Sequence, residues 1–386
     1  MDNDQEKRAR PELIGGFRRV VVKVGSGVLT TAGQGLNLSI IEGLVEQMAA
    51  LQASRVELLL VSSGAVASGL QRLDLKEVPK SIPQKQAAAA IGQSHLIWIY
   101  EKLFGQRGQK VAQILLTHED LANRARYLNA RNTLLTLLHY RVIPIINEND
   151  TVAVEEIKFG DNDTLSALVA TMMEADLLII LSDVDGLFDG DPRGNIQARL
   201  IPTVAGITAE IEAMAGKSRS RTGIGGMVTK LQAAKKAGAL GIMTVIANGK
   251  TPLVLSRILE GEQVGTLFLP QKDRLASRKH WIAYTLKPHG QLVVDDGARR
   301  ALMANGKSLL PKGVVEVRGR FGPGDAVVCY DFQGREFARG LTNYGSRELQ
   351  AIKGHHTAEI EDILGYRYFD EVIHRDDLVL YPFGEL

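Results

Sequence analysis

The chain has 386 residues, of which 45% are hydrophobic, and its formal net charge at pH 7 is only +2. A chain of this size can bury a large core and is expected to form more than one domain, whereas so small a charge gives no overall case for nucleic acid or membrane as a partner. A single cysteine, Cys329, excludes an intramolecular disulfide, and with no signal core and no apolar run near the roughly 18 residues that span a bilayer we expect a cytoplasmic globular protein.

Short apolar runs alternate with longer helical stretches over the first two-thirds of the chain. The predicted strands are 20–24, 56–61, 111–116, 142–146, 177–181 and 243–247. The predicted helices are 38–53, 84–104, 126–139, 164–173 and 227–237. Strands that are separated by helices of this length indicate parallel βαβ units, in which ligands bind beyond the carboxyl ends of the strands. Polar or glycine-rich segments do follow these strands: GSG, SSGA, NENDTV and SDVDG.

The sequence pattern changes after Pro288. Short predicted strands at 292–294, 314–317 and 326–330 alternate with glycine turns such as GRFGPGD, which is typical of a small β-rich module. The expected division is a catalytic domain at 15–270, a linker at 271–288, a β-rich domain at 289–366 and a C-terminal tail at 367–386.

Lys23 interrupts the first predicted strand, VVVKV, one residue before a glycine turn. A lysine is costly in a buried strand unless an anion meets it there. Its place at the carboxyl end of the strand favours a bound anionic ligand, although a side chain that extends into solvent from the strand end explains it as well.

The segment TGIGGMVTK, residues 222–230, is rich in glycine and runs into a predicted helix. Backbone N–H groups at such a turn bind anions, and Lys230 adds a positive charge. The segment is neither a Walker A motif nor a dinucleotide fingerprint. A flexible glycine loop with a surface lysine is an equally good explanation from this segment alone.

Two further turns follow predicted strands. In SSGAVASG the hydroxyls of Ser62 and Ser63 can donate and Gly64 lets a ligand approach the backbone, but an ordinary turn with a capping serine explains this segment better on its own. In SDVDGLFDGDPR, Ser182 and Asp183 are candidates for nucleotide contact, and the later aspartates are predicted to be solvated turn residues.

The densest polar region is INENDTVAVEEIKFGDNDTLSAL, residues 146–168. Asn147 and Asp150 follow a predicted strand directly, and Asp161, Asn162 and Asp163 begin a predicted helix. Helix capping explains one or two of these groups. The whole cluster fits a site for a cationic group, a metal bound to phosphate, or both. The three histidines in helical sequence are predicted to be structural: His95, His118 and His139.

Two lysines, glycine turns and carboxylates are therefore expected at one edge of one sheet. The array lacks an obvious acyl nucleophile, a Cys/His pair and the spacing of a zinc site. Phosphoryl transfer fits it, because there a protein mainly positions the reactants and neutralises charge on the transferring group.

These motifs resemble those of the amino acid kinase family. The matching blocks occur in the family's order over about residues 17–269: VVVKVGSGVLT, VSSGAVASG, LNARNTL, VIPIINENDTV, KFGDNDTLSALVA, GIGGMVTKLQAA and GTLF. The later segment GARRALMANGKSLLPKGVVEVRGRFGPGD resembles a PUA domain. The resemblance implies a three-layer α/β/α fold with a mainly parallel sheet, followed by a small β-rich PUA domain.

The resemblance is greatest to family members that transfer the γ-phosphoryl of ATP to the side-chain carboxylate of L-glutamate, the first step of proline synthesis. It implies ATP and Mg²⁺ as cofactors, inhibition by proline, and a homo-oligomer, a dimer or tetramer. Such a substrate carboxylate, with a reference pKa of about 4.3, is already ionised at neutral pH and needs no general base.

The resemblance also assigns residues to roles. It implies catalytic roles for Lys23, Lys230 and Asp163. It assigns ATP binding to Lys23, Gly25, Ser26, Ser182, Asp183, Ile224, Gly225, Gly226, Met227, Val228, Thr229 and Lys230. It assigns glutamate binding to Ser63, Gly64, Asn147, Asp150 and Asn162, with Asp150 pairing with the substrate ammonium, and it implies Mg²⁺ near Asp161. Ile224 and Ser182 stand where the family often has threonine, and neither difference removes a charge.

Two alternatives remain open at the level of sequence. One is another carboxylate kinase, for aspartate or N-acetylglutamate, although an acetylated substrate has no ammonium and no need of Asp150. The other is an RNA-binding protein built on the PUA-like module. Residues 287–354 carry eleven Lys and Arg against seven Asp and Glu, a mildly basic balance that is a weak electrostatic footprint for RNA.

Overall fold

The computed structural model describes residues 10, 13–14, 16–31, 35–75, 79, 81–152, 162–192, 194–195, 197–216, 226–270, 282, 286–367 and 369–381. The chain forms two compact units, Met1–Gln271 and Lys272–Leu386. Most of the expected linker, 271–288, lies outside the described residues. Within the described ranges no helix has both the length and the apolar character needed to cross a membrane.

The described elements of the first unit alternate between strand and helix. Its strands are β1 (Arg19–Val24), β2 (Thr30–Thr31), β3 (Gly35–Leu36), β4 (Glu57–Ser62), β5 (Lys110–Leu116), β6 (Val142–Glu148), β7 (Leu177–Ser182), β8 (Thr203–Val204), β9 (Met243–Asn248) and β10 (Thr266–Phe268). Its helices are α1 (Ser26–Leu29), α2 (Leu38–Ala53), α3 (Ala65–Arg72), α4 (Ile82–Gly105), α5 (His118–Ala122), α6 (Arg124–His139), α7 (Asn162–Met172), α8 (Ala209–Gly216), α9 (Met227–Gly238) and α10 (Val254–Leu259).

Most of these strands join one sheet in the order β5-β6-β4-β1-β7-β9-β10-β8. Its strand pairs are parallel except for β9 with β10, which is antiparallel. The prediction of a mainly parallel sheet is confirmed. Because β1 and β7 are neighbours, the glycine turn after β1 and the SDVDG turn after β7 emerge side by side.

The sheet is covered by helices on both faces, which gives the predicted three layers. Side chains alternate between faces along a strand. In β1, Val20, Val22 and Val24 pack into one buried cluster with α2, α4 and α10. Val21 packs into the other cluster, with α6, α7 and α9. The same alternation turns Lys23 toward the face that is covered by α7 and α9.

The second unit is a β-rich module, as predicted. Its described strands are β11 (Gly290–Val294), β12 (Val314–Gly319), β13 (Ala326–Tyr330), β14 (Glu336–Leu341) and β15 (Leu378–Leu380), with helices α11 (Asp296–Asn305), α12 (Ser346–Ile352) and α13 (Ile360–Leu364). The strands form one sheet in the order β12-β11-β13-β14-β15. This unit has its own buried cluster, which includes Cys329.

Several helix boundaries differ from the prediction. α4 begins at Ile82 because Pro83 occupies the first turn, where proline is tolerated. α6 begins at Arg124, and the Asn123 side chain caps it by accepting a hydrogen bond from the Arg126 N–H. α7 begins two residues earlier than predicted, at Asn162, which places Asn162 and Asp163 in its first turn.

Candidate active site

Three charged side chains meet in the interior at the carboxyl end of β1. The Lys23 Nζ lies 2.5 Å from Asp163 Oδ1, and the Lys230 Nζ lies 3.0 Å from Asp163 Oδ2. All three residues are buried, with exposed fractions of 4% for Lys23, 0% for Asp163 and 5% for Lys230. The two lysines that the sequence singled out are thus joined by one carboxylate, and we call this set the lysine–aspartate cluster.

Local sequence explains why these side chains converge. Lys23 has the orientation within β1 that turns it toward α7 and α9. On α9, Met227, Lys230, Leu231 and Ala234 share the buried face, which follows the spacing of three or four residues along a helix. On α7, Asp163 occupies the same buried face as Ser166 and Ala170.

Thr229 adds a neutral contact to the cluster. Its Oγ1 lies 2.8 Å from Asp163 Oδ2 and 2.8 Å from the Gly226 carbonyl oxygen. A hydroxyl has a single proton to donate, so it serves one of these acceptors at a time. Both oxygens of Asp163 are therefore engaged by donors from other elements.

Two opposing effects set the pKa of Asp163. Burial alone would raise the pKa of this carboxyl, but the charges and hydrogen bonds of Lys23 and Lys230 outweigh burial and hold the pKa below its ordinary value. The carboxylate is therefore ionised at neutral pH. Counted over these three side chains, two positive charges stand against one negative charge, a balance that favours a bound anion.

The glycine turn after β1 lies against the end of β7. The Gly25 N–H donates to the Leu181 carbonyl oxygen at 3.0 Å. A Cβ at Gly27 would lie 3.2 Å from the Asp183 carboxyl carbon, and one at Gly25 would lie 3.3 Å from the Leu181 oxygen. Glycine therefore permits this close approach, which places Gly25 beside the Lys23 ammonium and Gly27 beside Asp183.

The N-terminus of α9 lies next to the cluster, because Thr229 and Lys230 are in its first turn. Gly226 is the N-cap residue and makes no side-chain capping bond. A helix start of this kind leaves backbone N–H groups available to an anion. Ile224 and Gly225, which the sequence also assigned to ATP, lie outside the described residues.

A chain of side-chain amides lies beside the cluster. Asn147 Nδ2 donates to Gln93 Oε1 at 2.8 Å. Asn162 Nδ2 donates to Asn147 Oδ1 at 3.0 Å and to Ser63 Oγ at 2.8 Å. We call these four residues, Gln93, Asn147, Asn162 and Ser63, the amide relay. Three of them were predicted to bind the acceptor substrate, and the structure brings those three together.

Gln93 was missed by the sequence reasoning. It is 9% exposed and lies on the buried face of α4 with Ala89 and Leu96. A polar residue at a buried helical position is the signal that was present, but the alanine-rich surroundings gave no indication of its partner.

Other predicted residues have distinct environments. Gly64 has φ +108°, a left-handed conformation that favours glycine. Ser62 points away from the relay, and its hydroxyl lies 2.9 Å from the Tyr100 hydroxyl in the interior. His95 stacks on Trp98 of the same helix, in agreement with a structural role.

The sequence implied Mg²⁺ near Asp161. Asp161 lies outside the described residues. Within the part of the chain that the structure describes, no group of three or more His, Cys, Asp or Glu side chains is arranged to hold a metal ion.

Models of two known protein families match the chain. The model of the amino acid kinase family matches residues 18–248, and the PUA domain model matches residues 290–364. The chain belongs to the amino acid kinase family. The predicted architecture, an amino acid kinase fold followed by a PUA domain, is thereby confirmed, and the chain is a phosphotransferase.

Curated members of the amino acid kinase family are similar to the chain over nearly its whole length. Glutamate 5-kinase of Geobacter sulfurreducens is 56% identical over 371 residues, which cover 96% of this chain and 100% of the relative. Glutamate 5-kinase of Caldanaerobacter subterraneus subsp. tengcongensis is 55% identical over 367 residues, which cover 95% of this chain and 99% of the relative.

Proposed function

We propose that this protein transfers the γ-phosphoryl group of ATP to the side-chain carboxylate of L-glutamate and so forms L-glutamyl 5-phosphate. The observation that carries the proposal is the buried lysine–aspartate cluster, which lies beside the amide relay at one edge of the sheet. The names of the relatives, glutamate 5-kinase, support the choice of substrate.

The lysine–aspartate cluster is suited to the phosphate side of the reaction. Lys23 and Lys230 present two ammonium groups, and Asp163 holds both in place before the substrates bind. Charge that is already positioned stabilises a transferring phosphoryl group without reorganisation. Lys23 and Lys230 are therefore the proposed catalytic residues, and Asp163 acts through them as a positioning residue.

The acceptor carboxylate is the nucleophile in this mechanism. It is ionised at neutral pH, since its reference pKa is about 4.3. Asp163 is a poor general base, because both of its oxygens accept hydrogen bonds and its pKa is lowered by the two lysines. The carboxylate oxygen therefore attacks the γ-phosphorus of ATP without a proton transfer, while the bond from that phosphorus to the bridging oxygen breaks and ADP leaves.

The acceptor substrate is proposed to bind at the amide relay. Ser63, Asn147 and Asn162 supply neutral hydrogen-bonding groups there. Asp150 lies two residues after the end of β6 and is the proposed partner of the substrate ammonium. Gly64 leaves room for the substrate near the backbone.

ATP is proposed to bind between the glycine turn after β1 and the start of α9. Gly25 and Ser26 flank the phosphates, and Ser182 and Asp183 contact the nucleoside portion. Mg²⁺ is proposed to enter with the ATP phosphates, with Asp161 as the candidate protein ligand, because both oxygens of Asp163 are engaged by other donors.

We also propose a cellular location, an oligomeric state and a form of regulation for this protein. A cytoplasmic homo-oligomer, a dimer or tetramer, that supplies the first step of proline synthesis would be expected to respond to the end product. We propose that proline inhibits by occupying the acceptor pocket. Millimolar proline that left turnover unchanged at a glutamate concentration below KM would contradict this.

The decisive experiment is a kinase assay with ATP and Mg²⁺ in which hydroxylamine traps the acyl phosphate. Glutamate, aspartate and N-acetylglutamate are compared as acceptors at equal concentration. We expect hydroxamate with glutamate and at most a trace with the other two. A clear preference for aspartate or N-acetylglutamate would replace the proposal with a different carboxylate kinase.

A further inference from the structure

The amide relay begins at a residue to which no role has yet been given. Gln93 belongs to α4, and its Oε1 accepts a hydrogen bond from Asn147 Nδ2 at 2.8 Å in the interior. None of the described hydrogen bonds of the relay joins Gln93 to Lys23, Lys230 or Asp163. The described hydrogen bond that joins Gln93 to the site is therefore the one with Asn147.

The direction of every hydrogen bond in the relay follows from one backbone group. The Glu148 N–H donates to Asn147 Oδ1 at 2.9 Å, and a backbone N–H can only donate. That atom of Asn147 is therefore the oxygen, and its amide nitrogen faces Gln93. Three groups thus hold Asn147: the Glu148 N–H and the Asn162 amide nitrogen at its oxygen, and the Gln93 carbonyl at its nitrogen.

The orientation of Asn147 also determines which atom of the Asn162 amide can still form a hydrogen bond. Both hydrogens of the Asn162 amide nitrogen are used, one on Asn147 Oδ1 and one on Ser63 Oγ. Asn162 Oδ1 is buried and has no hydrogen-bond partner among the residues that the structure describes. A buried acceptor without a partner is uncommon, and a ligand that brings N–H donors would satisfy it.

We propose that Gln93 is a positioning residue that, through Asn147, presents Asn162 Oδ1 as an acceptor for the ammonium group of an amino acid substrate. The inference rests on the proposed function for the identity of that substrate. Without the Gln93 carbonyl, the Asn147 amide nitrogen is buried and unpaired, which is costly. Asn147 then rotates, and Asn162 loses the partner that fixes its own orientation.

The test compares Gln93→Met with the wild type in the hydroxylamine assay. Methionine keeps the length of the side chain and removes the acceptor. We expect the KM for glutamate to rise about tenfold, the effect of one buried donor left unpaired. We expect kcat to change less than about threefold, because the lysine–aspartate cluster is intact.

A second readout isolates the ammonium. Glutarate has both carboxylates of glutamate and no ammonium, and it serves as a competitive inhibitor against glutamate. In Gln93→Met the inhibition constant of glutarate should change less than about threefold while the KM for glutamate rises. A purely structural defect in the pocket would weaken both compounds equally.

Matched variants control the experiment. Gln84→Met makes the same substitution at the exposed start of α4, where Gln84 contacts only the Ser81 hydroxyl among its described partners, and should have wild-type constants. Should Gln93→Met not fold, Gln93→Asn withdraws the acceptor by one methylene and carries the same expectation.

The outcomes are separable. Wild-type protein that phosphorylates no glutamate refutes the proposed function and removes the basis of the inference. Active wild type with an unchanged KM in Gln93→Met overturns the inference alone. Equal weakening of glutamate and glutarate also overturns it, because that result assigns Gln93 a packing role.

Discussion

Asp163 keeps two lysine ammonium groups close together in the protein interior. Two positive charges that contact the same carboxylate lie close together, and they repel each other strongly where water is excluded. A single carboxylate with one oxygen on each ammonium offsets the repulsion and the loss of hydration. The free-energy cost of bringing the two ammonium groups together is therefore part of the stability of the folded protein, and substrate binding does not have to supply it.

Lys23→Ala should lower kcat by about 10²–10³, as expected when one preorganised donor to a transferring group is removed. The trapping assay with glutamate measures it. Lys235→Ala is the control, because Lys235 is an exposed residue of α9 that pairs with Glu212 at the surface and such pairs contribute little. Near-normal turnover in Lys23→Ala would reject the catalytic assignment of Lys23.

Asp163→Asn should destabilise the protein at pH 7 by about 3–5 kcal/mol, because it leaves two buried ammonium groups without their carboxylate. The folded-state pKa of Asp163 is below its ordinary value of 3.8. Its stabilising contribution is therefore fully present above that value and is lost as the pH falls through the lower, folded-state pKa. Urea unfolding should show that the difference between the two proteins narrows as the pH falls from 5 toward 3. A difference that stayed constant over that range would contradict the assignment.

Helices α3 and α4 approach each other through glycine. A Cβ on Gly69 would lie 1.7 Å from the Ala88 carbonyl oxygen, and one on Gly92 would lie 1.8 Å from the Ala65 carbonyl oxygen. A methyl group at either position would clash with a backbone oxygen, which cannot move aside as the end of a flexible side chain can. This contact fixes the position of α4, and Gln93 is the residue that follows Gly92.

Gly92→Ala should therefore destabilise the protein by about 1–3 kcal/mol or more through overpacking, and it should raise the KM for glutamate by displacing Gln93. Urea unfolding and the trapping assay measure the two effects. Gly43→Ala is the matched control on α2, where a Cβ would meet nothing within 4 Å. That variant should gain up to about 1 kcal/mol from helix propensity. Equal stabilities of the two variants would contradict the packing argument.

The elements with strong periodic or capping signals were predictable. α2 has the predicted bounds, Leu38–Ala53, and an Asn37 side chain that caps its start. The antiparallel strand β10 was missed, because three residues are too few for a periodic pattern. The start of α7 was misplaced because Asn and Asp there were interpreted as capping residues, whereas Asp163 is a buried ion-pair partner.

The candidate site was predictable where charge interrupts an apolar pattern. Lys23 in a valine strand and Lys230 after a glycine loop were both conspicuous. Their common partner was not, since Asp163 lies 140 residues from Lys23 along the chain and only the fold brings them together. Gln93 carries no charge and lies 54 residues from Asn147, so nothing in the sequence connected the two.

The whole molecule contains cores that belong to different parts of the chain. The two clusters on the faces of the large sheet are built from the first unit. The cluster around Cys329 and the five-stranded sheet is built from the second. A unit with its own core is expected to fold without the other.

A fragment of residues 1–271 should therefore fold and retain the kinase reaction, because every residue proposed for the site lies within it. Circular dichroism and the trapping assay on the purified fragment measure this, with the full chain as reference. Thermal unfolding of the full chain should show two transitions. A fragment that folds but has no activity would show that the second unit contributes to catalysis.

Asn162 and Asp163 are consecutive residues in the first turn of α7, yet Asn162 belongs to the amide relay and Asp163 belongs to the lysine–aspartate cluster. A movement of this turn shifts both contacts together. If ATP and glutamate bind at the two proposed sites, such a movement links their binding: the factor by which ATP raises the affinity for glutamate is also the factor by which glutamate raises the affinity for ATP. The first turn of α7 would then couple the binding of one substrate to the binding of the other.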